Sequence, residues 1–311
     1  MGTTFLGVGH HLPEFVDRVG VRRPIAVEPG GPSHLAAKAA ASAFERAGST
    51  AADVDFIVFA TMTPDVTFPG SGCYLQDHLG CDTVGALDIR AQCAGFVFGL
   101  VIADRFLRAG VYRNILLAGA EVHSSGLDYS ERGAAVAALY GDGAGVALVG
   151  PGADGKGVRG SSIHSDGRFH KQFWCEYPAS YQHPVRVTVD DLHAAKHFTT
   201  LDFESVRRFG ADKLPQVIGE ALQEAKLKPE GVDRYIIGHI FPDVAESAAK
   251  ALGITSSRVD VPASRYGHLT AAAIPVALSE EIAGGKLGSG ATVCLAACGA
   301  GFTWGAAVVT L

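Results

Sequence analysis

AFERAGSTAADVDFIVFAT, residues 43–61, contains an alanine-rich amphipathic segment, a polar turn and a short apolar run. ALQEAKLKPEGVDRYIIGH, residues 221–239, repeats this order without a gap, 178 positions further along the chain. The runs FIVFA and YIIG are too apolar for half-exposed edge strands, so we expect two buried parallel strands, each preceded by a helix. A match of this length at a fixed offset indicates a duplicated α/β unit.

Three further pairs of segments follow in the same order. NILLAGAE (114–121) matches TVCLAACG (292–299) at the same offset. CAGFVFGLVIADRFLRAG (93–110) pairs with HLTAAAIPVALSEEIAGG (268–285), so that each half places a polar turn before an apolar helix. A last pair closes each half with a glycine-rich turn and a strand: GDGAGVALVG (141–150) and GAGFTWGAAVVTL (299–311).

The matches divide the chain into an N-terminal half, 1–155, and a C-terminal half, 156–311, joined by the glycine-rich connector 151–160. We expect the two apolar helices, one from each half, to pack back to back between two sheets. Their N-terminal turns then converge, which places Cys93 of the first half near the residues around His268 of the second.

Composition narrows the class of protein. The 311 residues are 48% apolar and 19% charged, as in an ordinary globular protein, and the net charge of −6 with no basic stripe argues against nucleic acid as a partner. An acidic carrier protein would need only a local Lys/Arg patch. No apolar run reaches the roughly 18 residues of a membrane span, and the N-terminus lacks the basic region of a signal peptide. We therefore predict a cytoplasmic protein with reduced thiols, no membrane association and, from the cysteine spacing, no bound metal.

Cys93 lies at the start of the first apolar helix. The N–H groups and partial positive charge of a helix N-terminus stabilise a thiolate, so this position predicts a lowered thiol pKa and a nucleophile. A buried structural cysteine explains the same residue equally well, and the spacing alone leaves both interpretations open.

Two histidines in the second half favour the nucleophile. His239 ends the strand RYIIGH at its carboxyl edge, where α/β proteins usually bind ligands. His268 lies in the turn SRYGHLTAAA before the second apolar helix. A cysteine with two histidines can form a thioester, polarise its carbonyl and stabilise negative charge on a second substrate. Each histidine alone is also explained by a structural role, and the loop CGAGFTW (298–304) by ordinary turn chemistry.

Four longer stretches carry a family resemblance: DIRAQCAGFVFGL, LDYSERGAAVAALYGDGAGVALV, RYGHLTAAAIPVAL and GAGFTWGAAVV. Together with their order, they resemble the ketoacyl-ACP synthase III branch of the thiolase superfamily. The resemblance covers the chain from about residue 55 to its end and more weakly before it. It implies a duplicated thiolase-like fold, a five-layered αβαβα sandwich of two similar halves, and a homodimer.

The resemblance also implies roles for individual residues. Cys93 resembles the acyl-accepting nucleophile, with His239 and His268 as its catalytic partners, and the backbone N–H groups of Cys93 and Ala300 resemble the oxyanion-hole donors. Phe68, in TFPGSG, resembles the aromatic residue that each subunit extends into the acyl pocket of its partner, although core packing would also explain it. The other predicted substrate-binding and pocket residues are Phe241, Gly299, Gly301, Leu127, Tyr129 and Phe169.

Three features depart from the pattern of this branch. His268 stands where initiating synthases have Asn, although elongating ketosynthases work with a cysteine and two histidines. IFPD (240–243) follows His239 where the branch usually has Gln-Ala-Asn. Between LPEF and RVGVRRPIA the chain lacks the Trp-bearing loop that grips the adenine of CoA. A carrier-protein-bound thioester is therefore expected more than a free CoA thioester.

We predict a ketosynthase III-like acyltransferase that forms an acyl-Cys93 thioester and condenses it decarboxylatively with a malonyl thioester. Its substrates would be phosphopantetheine thioesters, with acyl carrier protein as partner, no bound cofactor and a place in specialised metabolism. Two alternatives stay open: acyl transfer to a hydroxyl or amine, and a non-catalytic subunit of a heteromeric synthase. Thiolase-type cleavage is disfavoured because Cys298-Gly299-Ala300 only partly echoes the Cys-Gly-Gly motif of that branch.

Overall fold

The structure is a computed structural model that describes residues 2–153, 155–181 and 184–311. In chain order its strands are β1 (Gly2–His11), β2 (Phe15–Arg18), β3 (Val21–Pro24), β4 (Phe56–Ala60), β5 (Gly85–Ile89), β6 (Ile115–Glu121), β7 (Gly143–Gly152), β8 (Gly157–Ser165), β9 (Phe173–Cys175), β10 (Thr199–Leu201), β11 (Arg234–Gly238), β12 (Val259–Asp260), β13 (Thr292–Gly299) and β14 (Thr303–Thr310). Its α-helices are α1 (Pro32–Ala47), α2 (Ser71–Leu79), α3 (Gly95–Arg108), α4 (Ala134–Ala137), α5 (Val189–His193), α6 (Phe203–Ala225), α7 (Pro242–Ala251), α8 (Ala263–Tyr266) and α9 (Ala273–Ala283).

Two five-stranded sheets have the same internal order. The first runs β1-β7-β6-β4-β5 and the second β8-β14-β13-β11-β12. In both, the central pair is parallel and has the same register: Phe56 of β4 lies opposite Ile115 of β6, and Arg234 of β11 lies opposite Val293 of β13. Each residue of the second pair lies 178 positions after its counterpart in the first pair, which is the offset found in the sequence. The predicted duplicated α/β fold is therefore confirmed.

Helices α3 and α9 form the middle layer, because each contacts strands of both sheets. Their apolar side chains build the core between the sheets, where Phe96 and Leu100 of α3 and Ile274 and Leu278 of α9 are buried. Such helices are apolar on nearly every face, as helices enclosed on all sides must be. This is the back-to-back arrangement predicted for the two apolar helices.

Two outer layers complete the sandwich. Helix α1 presents a buried face of Ala36, Ala39, Ala40 and Ala43 to the first sheet, a helical spacing of small residues that lets the backbones approach closely. Helices α6 and α7 cover the outer face of the second sheet with their own apolar core. The layers therefore follow the order αβαβα.

The connector between the halves is shorter than the predicted 151–160. Strand β7 continues to Gly152, which pairs with Gly2 of β1, and β8 begins at Gly157, which pairs with Thr310 of β14. Ladder hydrogen bonds therefore hold both ends of this glycine-rich stretch in sheets. Asp154, inside the predicted connector, lies outside the described residues. The division at 155 and 156 stays a prediction.

The predicted pairing of Cys93 with His268 as equivalent positions is wrong by three residues. The short 3₁₀ turn Gln92–Ala94 precedes α3, and the turn Thr270–Ala272 precedes α9. Gln92 and Thr270 share an unusual positive φ, 44° and 50°, which marks them as equivalents. Cys93 therefore corresponds to Ala271, again at 178 positions, and His268 belongs to the loop just before.

Candidate active site

Cys93 sits in the turn that leads into α3 and is 1% exposed. Its thiol occupies space that a glycine leaves open, because a Cβ added at Gly299 would lie only 2.1 Å from Cys93 Sγ. Gly299 ends β13, so the second sheet approaches the thiol with backbone alone. The sequence therefore places a small residue where any side chain would displace the sulfur.

His268 is the direct partner of the thiol. Its Nε2 lies 2.9 Å from Cys93 Sγ, and its Nδ1 is buried without a hydrogen-bond partner among the described residues. The backbone fixes this position, since the His268 N–H donates to the carbonyl of Leu139 at 2.6 Å and the Gly141 N–H donates to the carbonyl of His268 at 3.3 Å. The prediction that Cys93 and His268 meet is confirmed by this geometry.

His239 lies at the end of β11, as expected from the strand RYIIGH. Its Nδ1 is 3.1 Å from both the backbone nitrogen and the carbonyl oxygen of Phe241, so the ring accepts from the one or donates to the other according to its tautomer. Nε2 is buried without a partner in the described part of the chain and lies against Gly210 of α6. In the tautomer with its proton on Nε2, His239 presents a free N–H donor.

The prediction of a lowered thiol pKa is wrong for this closed site. Burial raises the pKa of Cys93 to about 12, although hydrogen bonds from the backbone N–H groups of Ala300 and Cys93 act in the opposite direction. Burial also lowers the pKa of His239 to about 4 and that of His268 well below 6.5. Desolvation therefore changes the pKa of the thiol more than the partial positive charge of the helix N-terminus does. The resting site therefore holds a neutral thiol beside two neutral imidazoles.

The backbone around Cys93 supplies further donors. The N–H groups of Ala300 and Cys93 both donate toward the thiol sulfur. Gly301 follows with a φ of 125°, a conformation that side-chain-bearing residues rarely adopt. Thr303 secures this loop, because its hydroxyl oxygen lies 2.9 Å from the carbonyl oxygen of Ala91 and 3.0 Å from that of Ala300, and its one proton is shared between them. Two convergent N–H groups at one sulfur fit an oxyanion-binding geometry.

The other predicted substrate residues lie in different places. Phe68 is 78% exposed, so the alternative of core packing is wrong. Phe241 is buried, contacts the Arg207 guanidinium at 4.0 Å and serves His239 through its backbone N–H. Leu127 and Phe169 each line a cavity described below. Tyr129 lies apart in a third cavity, where its hydroxyl donates to the carbonyl of Ser124.

Sequence reasoning missed three buried groups around this centre. Glu121 accepts from the backbone N–H groups of Met62 and Thr63, and burial raises its pKa to about 7. His123 Nε2 lies 2.7 Å from the Thr270 hydroxyl. The Tyr140 ring lies between those of His123 and His268, tilted to both. Glu121 ends β6, so the rule that singled out His239 at a strand's carboxyl end would have found it. The other two depend on contacts between distant segments.

Two cavities lie near residues that neighbour the centre. One, of about 530 Å³, is lined by Asp166, Arg168, Phe169, Ser205, Arg208, Phe209, Asp212, Lys213 and Phe302. It includes Phe302, two residues beyond Ala300. The other, of about 640 Å³, includes Met62, Thr63, His123, Leu127 and Cys175 in its walls. The first cavity combines aromatic and charged side chains, and the second is mainly polar.

The described residues contain no group of three or more His, Cys, Asp or Glu side chains arranged to hold a metal ion. None of the helices in this part of the chain is long and apolar enough to cross a bilayer. All six cysteines are free.

A duplicated αβαβα sandwich with a buried cysteine at its paired helix starts is the architecture of thiolase-like enzymes. A solved 3-oxoacyl-[acyl-carrier-protein] synthase III from Aquifex aeolicus VF5 superposes with a TM-score of 0.89, at 28% identity, over 100% of both chains. The sequence matches the family model 3-Oxoacyl-[acyl-carrier-protein (ACP)] synthase III over residues 87–167 and its C-terminal model over residues 222–311.

Curated relatives agree with these matches. A β-ketoacyl-[acyl-carrier-protein] synthase III of Clostridioides difficile strain 630 is 34% identical, over 98% of this chain and 97% of that protein. A second, from Rhodospirillum centenum, is 36% identical over 94% of this chain and 88% of that protein. The chain belongs to the 3-oxoacyl-[acyl-carrier-protein] synthase III family. The resemblance seen in the sequence is confirmed.

Proposed function

We propose that this protein is a condensing acyltransferase that joins an acyl group held on Cys93 to a malonyl thioester with loss of CO2. The observation that carries the proposal is the 2.9 Å contact between Cys93 Sγ and His268 Nε2, beside the unpartnered Nε2 of His239. The names of the relatives support the reaction class. A neutral thiol and a neutral imidazole in contact are a nucleophile with its base.

In the first step Cys93 takes the acyl group from a phosphopantetheine thioester. His268 Nε2 accepts the thiol proton as Sγ attacks the carbonyl carbon, and the N–H groups of Cys93 and Ala300 bind the oxygen that becomes negative. The pantetheine sulfur leaves and takes the proton from His268. The step yields acyl-Cys93 and a free pantetheine thiol, with no bound cofactor.

In the second step a malonyl thioester loses CO2 and leaves an enolate. His239 Nε2–H donates to the enolate oxygen, and His268 does so in the tautomer that carries its proton on Nε2. The enolate carbon attacks the acyl carbonyl, the Cys93–acyl bond breaks, and the leaving thiolate takes up one proton from solvent, which restores the neutral Cys93 thiol. The product is a β-ketoacyl thioester.

The donor and acceptor are proposed to arrive on acyl carrier protein. Arg168, Arg208 and Lys213 line the 530 Å³ cavity together with Asp166 and Asp212, beside the aromatic side chains of Phe209 and Phe302. Arg168 and Lys213 pair with the two aspartates, so Arg208 is the cation of this rim that suits an acidic carrier. The missing adenine-gripping loop favours the carrier over CoA, and with the other departures it favours specialised metabolism.

We also propose a homodimer in which Phe68 reaches the acyl pocket of the partner. The 78% exposure of this large aromatic side chain supports a covered position in an assembly. The six free cysteines support a reducing, cytoplasmic location. Neither property enters the chemistry at Cys93.

A second candidate is acyl transfer from Cys93 to a hydroxyl or amine. The neutral His268 beside the sulfur favours it, because an imidazole can deprotonate an acceptor where the Asn of initiating synthases cannot. The two reactions share the acyl-Cys93 intermediate. They differ in whether CO2 is released.

The deciding experiment is intact-mass measurement after incubation with acyl-pantetheine and acyl-carrier thioesters. We expect an acyl adduct on the wild type and none on Cys93→Ala. Cys294→Ala is the matched control, because Cys294 is another fully buried thiol whose pKa burial raises to about 12. This variant should still acquire the adduct.

Malonyl carrier protein is then added to the acylated enzyme. Release of CO2 with a β-keto product supports condensation. An ester or amide product without CO2 supports the second candidate and rejects the first. The absence of any Cys93-dependent adduct with every donor rejects both, and leaves the non-catalytic subunit.

A further inference from the structure

The 640 Å³ cavity has a markedly polar wall, and one residue of that wall, His123, connects it to the residues around the thiol. Its lining includes Thr63, Asp65, His123, Cys175, His197 and Thr199. The ring of His123 is 4.5 Å from that of Tyr140, which in turn is 5.9 Å from the ring of His268. Tyr140 therefore stands between the cavity and the Cys93–His268 pair.

Three buried polar atoms of this region lack hydrogen-bond partners within the described residues. Nδ1 of His197 and Oδ2 of Asp65 belong to the cavity lining, and the hydroxyl of Tyr140 lies behind it, on the residue that packs against His123. Tyr140 is only 1% exposed, so bulk water does not replace the missing partner of its hydroxyl. An alkyl chain would leave this hydroxyl unpartnered. A ligand that brings a hydrogen-bonding group to it would satisfy it.

The surroundings select a neutral group. Burial lowers the pKa of His123 to about 3 and raises that of Glu121 to about 7, so desolvation opposes both signs of charge. The Tyr140 hydroxyl can pair with either a donor or an acceptor. A hydroxyl group both donates and accepts and carries no charge. It matches these surroundings better than a carboxylate, an ammonium or a methylene.

We propose that the acyl group taken by Cys93 carries a hydroxyl close to its thioester end, and that the Tyr140 hydroxyl binds it. The inference rests on the proposed function, because it names the acyl class for that reaction. Tyr140 is thereby a specificity-determining residue. The substrate would be supplied by a reaction that makes hydroxyacyl thioesters.

Tyr140 is held firmly enough for this task. The residues on either side of it, Leu139 and Gly141, form backbone hydrogen bonds with His268. The tyrosine backbone is therefore tied to the same residue that contacts the thiol. A hydroxyl placed by this connection discriminates between substrates because its partner has little freedom to turn away.

The test compares 3-hydroxybutyryl-pantetheine with butyryl-pantetheine as donors, following the initial rate of the Cys93 adduct by intact mass. We expect the wild type to load the hydroxylated donor about tenfold faster, the effect of one added hydrogen bond. In Tyr140→Phe the ratio should fall to about one. Tyr235→Phe is the matched control, because Tyr235 is also buried but donates its hydroxyl to Pro229 far from the site. It should retain the wild-type ratio.

Each outcome has one meaning. A wild-type enzyme that loads butyryl as fast as 3-hydroxybutyryl, and hexanoyl as fast as 3-hydroxyhexanoyl, overturns the inference and leaves the proposed function standing. A preference that persists in Tyr140→Phe overturns the assignment to Tyr140. If Tyr140→Phe does not fold, the wild-type ratios for the two chain lengths still decide the acyl class. Failure of all four donors to acylate Cys93 overturns the proposed function together with this inference.

Discussion

The start of α3 and the start of α9 are equivalent by the internal repeat, yet they hold different side chains. Cys93 in the first half corresponds to Ala271 in the second, and Gly299 at the end of β13 corresponds to Glu121 at the end of β6. In one place an empty glycine position admits a thiol. In the other a carboxylate fills the space, with Oε1 3.4 Å from the backbone nitrogen of Ala271.

The difference shows how one scaffold supports two roles. In the first sheet, Glu121 fills the position, and its hydrogen bonds join the start of α9 to the loop at Met62 and Thr63. The open position leaves a nucleophile beside a histidine that comes from a loop rather than from the repeat itself. A duplicated fold therefore supplies two helix starts, but only the side chains opposite them decide which one can react.

The largest effect should come from moving the thiol between the two positions. Cys93→Ala combined with Ala271→Cys is expected to form no acyl adduct, because the new thiol faces the Glu121 carboxylate, which disfavours a thiolate. Intact mass with an acyl-pantetheine donor measures the result. An adduct on the relocated cysteine would show that a helix start alone is enough to make a cysteine reactive. It would contradict the difference that we infer between the two helix starts.

Removing the base should have the next largest effect. His268→Asn keeps an N–H donor but loses the proton acceptor, so acyl loading should slow by about 10²–10⁴-fold. Because the pKa of His268 lies well below 6.5, its neutral form persists as the pH falls, and the wild-type rate should show no decline near pH 6.5. Stopped-flow loading between pH 5 and 8 checks both points. A rate unaffected by the substitution would remove His268 from the first step.

A side chain added at Gly299, the position that leaves space for the thiol, should slow acyl loading somewhat less. Gly299→Ala places a Cβ 2.1 Å from the present Cys93 Sγ, so the sulfur must move, and a shift of about 1 Å can cost roughly 100-fold in rate. Gly219→Ala is the control, because a Cβ there meets no atom within 4 Å. Equal loading rates in the two variants would mean that the open space is unimportant.

The smallest effect should appear in the free energy of unfolding, and it concerns Glu121, which fills the position equivalent to Gly299. Glu121 has a pKa raised from 4.5 to about 7, so the folded protein retains a proton that the unfolded chain loses. The stabilising contribution of the neutral form is complete below pH 4.5 and is lost as the pH rises through about 7. Glu121→Gln should therefore gain up to about 3 kcal/mol relative to the wild type between pH 4.5 and 8. Urea unfolding at both pH values measures this, and a constant difference would contradict it.

The repeated segments predicted the fold because each carried its own local pattern of helix, turn and buried strand. The register of β4 with β6 and of β11 with β13 followed from one offset. The pairing of Cys93 with His268 as equivalents was wrong because the loop before α9 is irregular. Only the positive φ of Gln92 and Thr270 shows which residues of the two turns correspond. Glutamine and threonine rarely adopt a positive φ, so the sequence gives no indication of it.

The site was predicted less completely than the fold. Cys93 and His268 meet as expected, at 2.9 Å, although His268 belongs to an irregular loop, and His239 lies at the strand end where it was predicted. The thiol pKa was predicted in the wrong direction, since burial depends on packing from both halves and is not encoded near the cysteine. Tyr140 and His123 were missed for the same reason: their importance arises from contacts with residues more than a hundred positions away.

The backbone bridge at Tyr140 and His268 ties a loop of one half to a loop of the other. Any sliding of the halves past each other must stretch this bridge and draw the His268 ring away from the sulfur before either sheet is disturbed. The rate of acyl loading is therefore more sensitive to the relative position of the two halves than the helix and strand content is. A low concentration of denaturant should abolish acyl loading while the circular dichroism spectrum remains that of the folded protein.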